Sequence, residues 1–439
     1  MKKYIFIFIC FSAIKVSGQN QFRLIDSLLN YAARQFNFNG VVLVAQKNHI
    51  VYEKTLGKAN IEWDIKHEKN SKFRLGSISK QFTAFMILQL CEQGKLSVND
   101  KLSNYFDAFK NTGKTAITIN HLLTHTSGLA DYTNLRNFNE TVLYAEDSII
   151  KMIADAPLQF PAAAKYQYCN SNFYLLALLA EKITNKKFDT LLQEQIFTPA
   201  GMKNSGEDDN VVIADKMAAS YIPKNGKFVK APWLEMGNAK GGGGMYCNAE
   251  DMLAWSLFFQ QQLKKNEFIK TTVQPFQLLN GGNTIYSSGW CLLPGLIFHT
   301  GHINGFANLI AVDTSLQQTI IILTNSNYQQ LYITMQCIRK IIANDSHATS
   351  WIKKNYHPAL KDFAGTYAIG GFNVEIKEEA PYLAGYAGGE KAMLQSFTKD
   401  EFFFTGREGL IKFNRDKNDQ VISFSSFQDY EWVELKKTK

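Results

Sequence analysis

The sequence predicts a mixed α/β (α+β) fold, in which an antiparallel sheet with flanking helices carries an all-helical lobe. A small C-terminal antiparallel β-domain follows. Strand-like runs lie on both sides of a helix-rich middle, residues 118–263, which implies one sheet closed by distant segments with the helices inserted between them. From Phe363 onward, short alternating runs separated by turn residues predict an antiparallel barrel or sandwich.

The first eighteen residues have the layout of an export signal. Lys2 and Lys3 precede an apolar run that ends in the small-residue stretch Val16-Ser17-Gly18. The alternative is an uncleaved anchor, but the run is about half as long as a membrane-spanning helix needs to be. We therefore expect a signal peptide over residues 1–18, a periplasmic or secreted protein, and no stable membrane insertion after cleavage.

The elements of the first large domain follow in order along the chain. An amphipathic helix is predicted over residues 26–36, and two strands over 40–45 and 50–54 form a hairpin. Residues 82–91 are apolar almost all round, which indicates a buried helix, and Gly94 ends it. Further strands are predicted over 291–293, 296–299, 307–312 and 319–323, and a last helix over 332–343.

The C-terminal domain contains five predicted strands, over 372–376, 402–405, 410–413, 421–424 and 431–435. We place the main domain at 19–347 and the accessory domain at 358–439, with the boundary between Ala348 and Pro358. A length of 439 residues suits one large and one small domain.

Composition excludes several classes of protein. The formal net charge is +8, but the basic residues are scattered rather than gathered in a stripe with aromatics, so no nucleic-acid partner is expected. Five cysteines lie outside the signal at wide spacing: Cys91, Cys169, Cys247, Cys291 and Cys337. This odd number at wide spacing does not indicate a disulfide framework, so we interpret the cysteines as small, buried hydrophobic side chains. The sequence indicates no metal and no cofactor.

A candidate nucleophile lies at the start of the predicted buried helix, in Ser77-Ile78-Ser79-Lys80. The positive end of a helix dipole favours a developing alkoxide, and three residues are nearly one helical turn. In an apolar helix the lysine is partly desolvated, which lowers its pKa and allows it to relay a proton. The spacing alone is weak evidence, because it recurs at Ser148/Lys151, Ser350/Lys353 and Ser396/Lys399.

Two further motifs accompany this serine. Tyr168-Cys169-Asn170 precedes an apolar helix over residues 173–180, so a phenol and an amide are expected to face a cleft, the amide binding a substrate amide. Tyr132-Thr133-Asn134 has the same spacing, but we interpret it as a turn.

His299-Thr300-Gly301 ends a predicted strand. Glycine there lets backbone approach a ligand, so the N–H of His302 is a candidate partner for the N–H of Ser77 in an oxyanion hole. A structural histidine pair is one alternative. A metal site is the other and weaker one, because no further ligand accompanies the two histidines.

Together, Ser77-x-x-Lys80, Tyr168-x-Asn170 and His299-x-Gly301 resemble the serine β-lactamase and penicillin-binding-protein superfamily. The branch of class C β-lactamases, DD-carboxypeptidases, D-aminopeptidases and esterases (peptidase S12-like) is the most similar. Connecting motifs agree with it: residues 73–76 (FRLG), 121–129 (HLLTHTSGL), 196–202 (IFTPAGM), 242–245 (GGGM) followed by Asp251, and 323–325 (LTN). The resemblance covers nearly all of residues 36–343.

This resemblance implies the β-lactamase/transpeptidase-like sandwich, with a cleft between the sheet domain and the helical lobe. It also implies acylation of Ser77, proton transfer shared by Lys80 and Tyr168, and hydrolysis of the acyl-enzyme. Asn170, His299, Gly301 and His302 would then bind substrate, a small molecule or peptide with an amide or ester bond. The C-terminal tail resembles the β-domain often appended to such hydrolases.

Two positions depart from the family pattern. His299 replaces the lysine of Lys-Thr-Gly, and a histidine is largely neutral near pH 7, so it anchors a substrate carboxylate more weakly. We therefore expect peptidase, amidase or esterase activity rather than β-lactamase activity. Cys169 replaces a serine, which we interpret as harmless. The alternatives are a β-lactamase and a non-catalytic peptide- or peptidoglycan-binding protein.

Overall fold

The computed structural model describes residues 6–110, 112–211, 213–344, 359–380, 382–396, 399–404, 409–428 and 431–438. It divides into two compact units, which are described separately below. One comprises residues 39–328, and the other comprises residues 1–38 together with 329–439. The predicted domain boundary, between Ala348 and Pro358, lies outside the described residues.

The helices alternate with loops along the chain, and most of them lie in the middle of the first unit. Their bounds are α1 (Phe6–Phe36), α2 (Ser79–Glu92), α3 (Ile119–Leu123), α4 (Glu146–Asp155), α5 (Asn170–Thr184), α6 (Phe188–Leu192), α7 (Thr198–Ala200), α8 (Ala249–Lys265), α9 (Glu267–Thr272) and α10 (Leu331–Ile342).

The strands of the first unit form one large sheet and three small ones. Their bounds are β1 (Gly40–Gln46), β2 (His49–Leu56), β3 (Lys58–Asn60), β4 (Ile65–Lys66), β5 (Phe73–Arg74), β6 (Gly206–Glu207), β7 (Tyr221–Lys224), β8 (Lys227–Lys230), β9 (Met245–Cys247), β10 (Tyr286–Ser287), β11 (Trp290–Leu293), β12 (Leu296–Ile303), β13 (Phe306–Asp313) and β14 (Gln318–Thr324).

The large sheet is antiparallel, with the order β10-β11-β12-β13-β14-β1-β2. It joins distant parts of the chain as predicted, since β1 pairs with β14 from Gly40 opposite Thr324 to Gln46 opposite Gln318. The β1–β2 hairpin turns at Lys47 and Asn48, which both have positive φ, the backbone twist that a two-residue hairpin needs.

Helix α2 is the centre of this unit. Almost every residue from Ser79 to Leu90 is buried. The helix is therefore buried on all sides, as its apolar sequence predicts. Phe82 stacks on Trp255 of α8 with ring centroids 4.4 Å apart, and Gly94 follows the helix with φ +67°. The helix that carries the candidate lysine is therefore fixed by packing on all sides.

In the second unit, the C-terminal strands form a closed antiparallel barrel, which decides between the predicted barrel and sandwich. The strands are β15 (Gly365–Ile369), β16 (Phe372–Glu379), β17 (Tyr382–Ala387), β18 (Glu390–Ser396), β19 (Glu401–Phe404), β20 (Leu410–Arg415), β21 (Val421–Gln428) and β22 (Glu431–Lys437). The sequence prediction lacked β15, β17 and β18. Strands β15 and β17 contain Gly and Ala, and β18 begins with Glu, Lys and Ala; all of these residues have low strand propensity.

The N-terminal segment continues α1 back to Phe6, and residues 1–5 lie outside the described part. No helix of the described residues is both long and apolar enough to cross a bilayer. The export signal over residues 1–18 stays a prediction. Among the described residues, all five cysteines predicted to lack a disulfide framework are free, and all but Cys91 are buried.

Candidate active site

Ser77 lies in a 3₁₀ turn, Gly76–Ile78, that joins β5 to α2. This turn lies against β12: a Cβ on Gly301 would come within 1.9 Å of the Leu75 carbonyl oxygen, and a Cβ on Gly76 within 2.8 Å of the His302 nitrogen. Only glycines permit such an approach of two backbones. The Ser77 side chain is half-buried, so a ligand in the cleft can reach its hydroxyl.

Lys80 is fully buried beneath Ser77, and its amine contacts three oxygens. Nζ lies 3.1 Å from Ser77 Oγ, 2.9 Å from Asn170 Oδ1 and 2.7 Å from the Gly242 carbonyl oxygen. The amide and the carbonyl oxygens only accept hydrogen bonds. In its protonated form the amine donates to Ser77 Oγ as well. In its neutral form the two N–H groups can serve the two acceptors, and the lone pair is then available to the Ser77 hydroxyl.

The charge state of Lys80 follows from this burial. Desolvation lowers the pKa of Lys80 to about 7, while the carboxylate of Asp131 opposes that shift. Near neutral pH a large share of the Lys80 amine is then unprotonated, whereas an ordinary surface lysine is almost fully protonated at that pH.

Asn170 is held by Asp131, a residue that the sequence analysis missed. Asp131 Oδ2 accepts from the Asn170 backbone N–H at 2.8 Å and from Asn170 Nδ2 at 3.0 Å. This contact fixes the orientation of the amide, whose oxygen then faces Lys80. It also places a carboxylate at the N-terminus of α5, where the helix dipole stabilises negative charge. Asn170 was predicted to bind a substrate amide, and here both ends of its side chain already have protein partners.

Tyr168 lies directly before α5, with its ring centroid 4.9 Å from Lys80 Nζ. The buried ring of His125 packs on the Tyr168 ring with centroids 4.3 Å apart. His125 Nδ1 accepts the Cys169 N–H at 3.1 Å, and burial holds the pKa of His125 well below its usual value. The neutral His125 side chain thus holds the loop that carries Tyr168 through the Cys169 N–H. His125 itself has a positive φ of +56°.

His299 lies 6.4 Å from Tyr168 between ring centroids and is fully buried. Its Nδ1–H donates to the Thr300 carbonyl oxygen, so Nε2 is free of hydrogen and accepts from the Tyr286 hydroxyl at 3.0 Å. Burial lowers the pKa of His299 to about 3. The side chain is therefore a neutral part of the wall behind Tyr168.

Gly301 and His302 continue β12 beside the Ser77 turn, opposite Asn308 and Ala307 of β13. The His302 side chain is exposed, and its backbone nitrogen lies next to Gly76. The structure thus brings the His302 backbone to the turn that carries Ser77. The oxyanion hole stays a prediction.

The other tyrosine motif forms a 3₁₀ turn, Tyr132–Asn134, in agreement with its interpretation as a turn. The buried Tyr132 hydroxyl donates to the Asn238 carbonyl oxygen at 2.5 Å. Cys169 is buried, and desolvation raises the pKa of its thiol to about 12, so it is not a reactive nucleophile. Among the described residues, no three His, Cys, Asp or Glu side chains gather as a metal site requires.

The profile of the Beta-lactamase family matches residues 29–334. Penicillin-binding protein 4* of Bacillus subtilis (strain 168) is 27% identical over 340 residues, which are 72% of this chain and 74% of that protein.

Solved structures with a similar fold include two penicillin-binding proteins or homologues. A penicillin-binding protein from Bacillus halodurans is 25% identical, with a TM-score of 0.60 over 71% of this chain and 99% of that one. The octameric penicillin-binding protein homologue from Pyrococcus abyssi is 18% identical, with a TM-score of 0.66 over 94% of this chain and 99% of that one. The second similarity concerns the fold alone.

Proposed function

Because the chain belongs to the Beta-lactamase family, within the serine hydrolase superfamily, we propose that it cleaves an amide or ester bond through an acyl-Ser77 intermediate. The observation that carries this proposal is the contact between the Ser77 hydroxyl and a fully buried lysine whose pKa is lowered to about 7. Such a lysine is a base matched to neutral pH.

Acylation begins with proton transfer from Ser77 to Lys80. As Ser77 Oγ bonds to the substrate carbonyl carbon, its proton passes to the lone pair of Lys80 Nζ, 3.1 Å away. Asn170 Oδ1 and the Gly242 carbonyl oxygen stabilise the ammonium that forms, because both already accept from Nζ. The carbonyl electrons move to oxygen, where the N–H groups of Ser77 and His302 are the proposed donors.

Collapse of the tetrahedral intermediate breaks the bond to the leaving group. The departing amine or alkoxide takes the proton held on Lys80, and we assign the relay to Tyr168, whose ring borders Nζ. In deacylation, water gives a proton to Lys80 and adds to the acyl carbon, and Ser77 Oγ leaves with that proton returned. The products are a carboxylic acid and an amine or alcohol.

The substrate class follows from His299. This side chain is buried, neutral and bonded to Tyr286, so it offers no charge to a substrate carboxylate. We therefore propose peptidase, amidase or esterase activity on substrates without a carboxylate at that position, ahead of β-lactam hydrolysis.

Labelling with a fluorophosphonate probe tests the nucleophile. The wild-type protein should be labelled once, on Ser77, and Ser77→Ala should not be labelled. Ser148→Ala is the matched control, because Ser148 and Lys151 have the same spacing on the exposed α4, and its labelling should equal that of wild type. Equal labelling of Ser77→Ala and wild type would exclude Ser77 as the nucleophile.

A panel of chromogenic substrates tests the class. p-Nitrophenyl esters, D- and L-amino-acid p-nitroanilides and a chromogenic cephalosporin would be compared by kcat/KM. We expect kcat/KM for the esters or for the anilides to exceed kcat/KM for the cephalosporin. A cephalosporin turned over fastest would make the protein a β-lactamase, and binding without turnover of any substrate would make it a binding protein.

A further inference from the structure

The barrel of β15–β22 has a densely packed part that is built from aromatic side chains. Phe363, in the short 3₁₀ helix before β15, is fully buried and packs on Phe402 and Phe413 with ring centroids 4.9 and 4.7 Å apart. Tyr367 and Phe424 extend this cluster at 4.9 Å from each other.

The rest of the interior contains a cavity of about 430 Å³. Its cause lies in β17 and β18, where the inward positions carry the small residues Gly385, Ala387 and Ala392. Gly385 and Ala392 lie directly opposite each other, so the two small residues leave space side by side. Larger aliphatic residues, among them Ile376, Leu394 and Ile411, line the remaining wall.

A space of this size is unusual inside a protein, because interiors contain few voids larger than a water molecule. A cavity of about 150 Å³ lined by apolar side chains stays dry and binds benzene. By the same proportion, the barrel cavity has room for roughly fifteen to twenty non-hydrogen atoms. It also falls within the range of about 300–1,000 Å³ that small-molecule sites occupy.

The cavity reaches the surface at the hairpin tips. The β15–β16 turn at Gly370 and Gly371 is flanked by Ile369 and Phe372, whose side chains line the cavity and are 44% and 53% exposed. On the next hairpin, Glu390 places the only carboxylate among the lining residues at the same end of the barrel. The described rim is thus apolar with one negative charge.

We propose that the C-terminal barrel is a binding site for a small, uncharged, mainly aliphatic molecule, such as a long-chain alcohol or ester. The aliphatic wall supplies burial for a hydrocarbon chain. The carboxylate of Glu390 at the rim repels an anionic end, which disfavours the corresponding fatty acid. This proposal does not depend on the hydrolase chemistry of Ser77.

Fluorescence titration of the full-length protein with N-phenyl-1-naphthylamine, an uncharged probe, tests the site. The fluorescence should rise to saturation at one probe per chain. 1-Dodecanol should displace the probe at a concentration at least about tenfold lower than dodecanoate does at pH 7.5. Absence of saturable binding, or stronger displacement by dodecanoate, would overturn the proposal.

Cavity-filling variants locate the probe. Ala392→Phe and Gly385→Val should weaken probe binding at least tenfold, and either one that folds is sufficient. A Cβ on Gly385 meets only ordinary contacts, the nearest at 3.4 Å, so this position tolerates a larger residue. Ala368→Phe is the matched control, because Ala368 lies between the inward Tyr367 and Ile369 and faces outward. Probe binding unchanged in a folded Ala392→Phe or Gly385→Val variant would place the probe elsewhere and contradict the inference.

Glu390→Gln tests the charge at the rim without changing the core. Dodecanoate should approach 1-dodecanol as a competitor in this variant, while 1-dodecanol itself should compete as it does with wild type. An unchanged ratio between the two competitors would remove Glu390 from the argument for an uncharged ligand.

Discussion

Two Ser-x-x-Lys motifs of the first unit, one at the start of α2 and one on α4, lie in opposite surroundings. On α2, Lys80 is fully buried and contacts Ser77, Asn170 and Gly242. On α4, the Lys151 side chain is 76% exposed and pairs with Asp155 at 2.8 Å. The spacing is the same in both motifs, but only Lys80 is buried, and desolvation lowers its pKa.

A Ser-x-x-Lys motif alone therefore does not make a catalytic site. The Lys151 amine is exposed to water and pairs with a carboxylate. Lys80 has an amide oxygen, a carbonyl oxygen and a hydroxyl, none of which carries a charge. We therefore expect the surroundings of the lysine, rather than the spacing, to decide activity.

The largest effect is expected from alanine substitutions at the two motifs. Ser77→Ala and Lys80→Ala should each lower kcat/KM for the best substrate by at least about a thousandfold, because the nucleophile and its base act as a unit. Ser148→Ala and Lys151→Ala should leave kcat/KM within about twofold of wild type. A large loss in the α4 variants would remove the distinction between the motifs.

A smaller loss is expected when the backbone beside Ser77 is displaced. Gly301→Ala places a Cβ 1.9 Å from the Leu75 carbonyl oxygen, so β12 and the Ser77 turn must separate. We expect kcat/KM to fall about a hundredfold and the free energy of unfolding to fall by about 2 kcal/mol.

Gly113→Ala is the control for that substitution, because a Cβ there meets no atom within 4 Å. Steady-state kinetics and denaturant unfolding measure both variants. Wild-type kinetics and stability in Gly301→Ala would show that the close approach of β12 is not needed.

Asp131→Asn changes the charge near Lys80 while keeping an oxygen that accepts from Asn170. The Asp131 carboxylate raises the pKa of Lys80, so its removal should move that pKa further down. Because activity requires the neutral amine, the acidic limb of the kcat/KM profile should shift to lower pH. An upward shift, or no shift, would contradict the assignment of that limb to Lys80.

The smallest effect is expected at Cys169. Its thiol is buried, and its pKa is raised to about 12, so it takes no part in the chemistry. Cys169→Ser should change kcat/KM by less than about threefold, and iodoacetamide should not inactivate the wild-type protein. Inactivation with modification of Cys169 would reverse this conclusion.

The sequence was sufficient to predict the elements that depend on local pattern. The β1–β2 hairpin, the buried helix α2 and the strands of the large sheet other than β10 follow from periodicity and turn residues. The two-residue β10 was not predicted. Strands β17 and β18 were missed because their inward glycine and alanines make a cavity rather than a core, and so they lack the usual alternation.

The candidate site was predicted in its residues but not in its contacts. The Gly242 carbonyl that accepts from Lys80 lies 162 residues along the chain, and no side chain marks it. Asp131 occupies the N-cap of an ordinary turn, so its contact with Asn170 is visible only in three dimensions. His299 was expected to bind substrate, but burial, which a single sequence does not give, makes it part of the wall.

The pH dependence of acylation tests the central claim most directly. The burst rate with an uncharged ester such as p-nitrophenyl acetate would be measured from pH 5 to 9. If neutral Lys80 takes the Ser77 proton, the rate should rise about tenfold per pH unit below pH 7 and level off above it. A rate independent of pH across this range, in a protein still labelled at Ser77, would contradict the account.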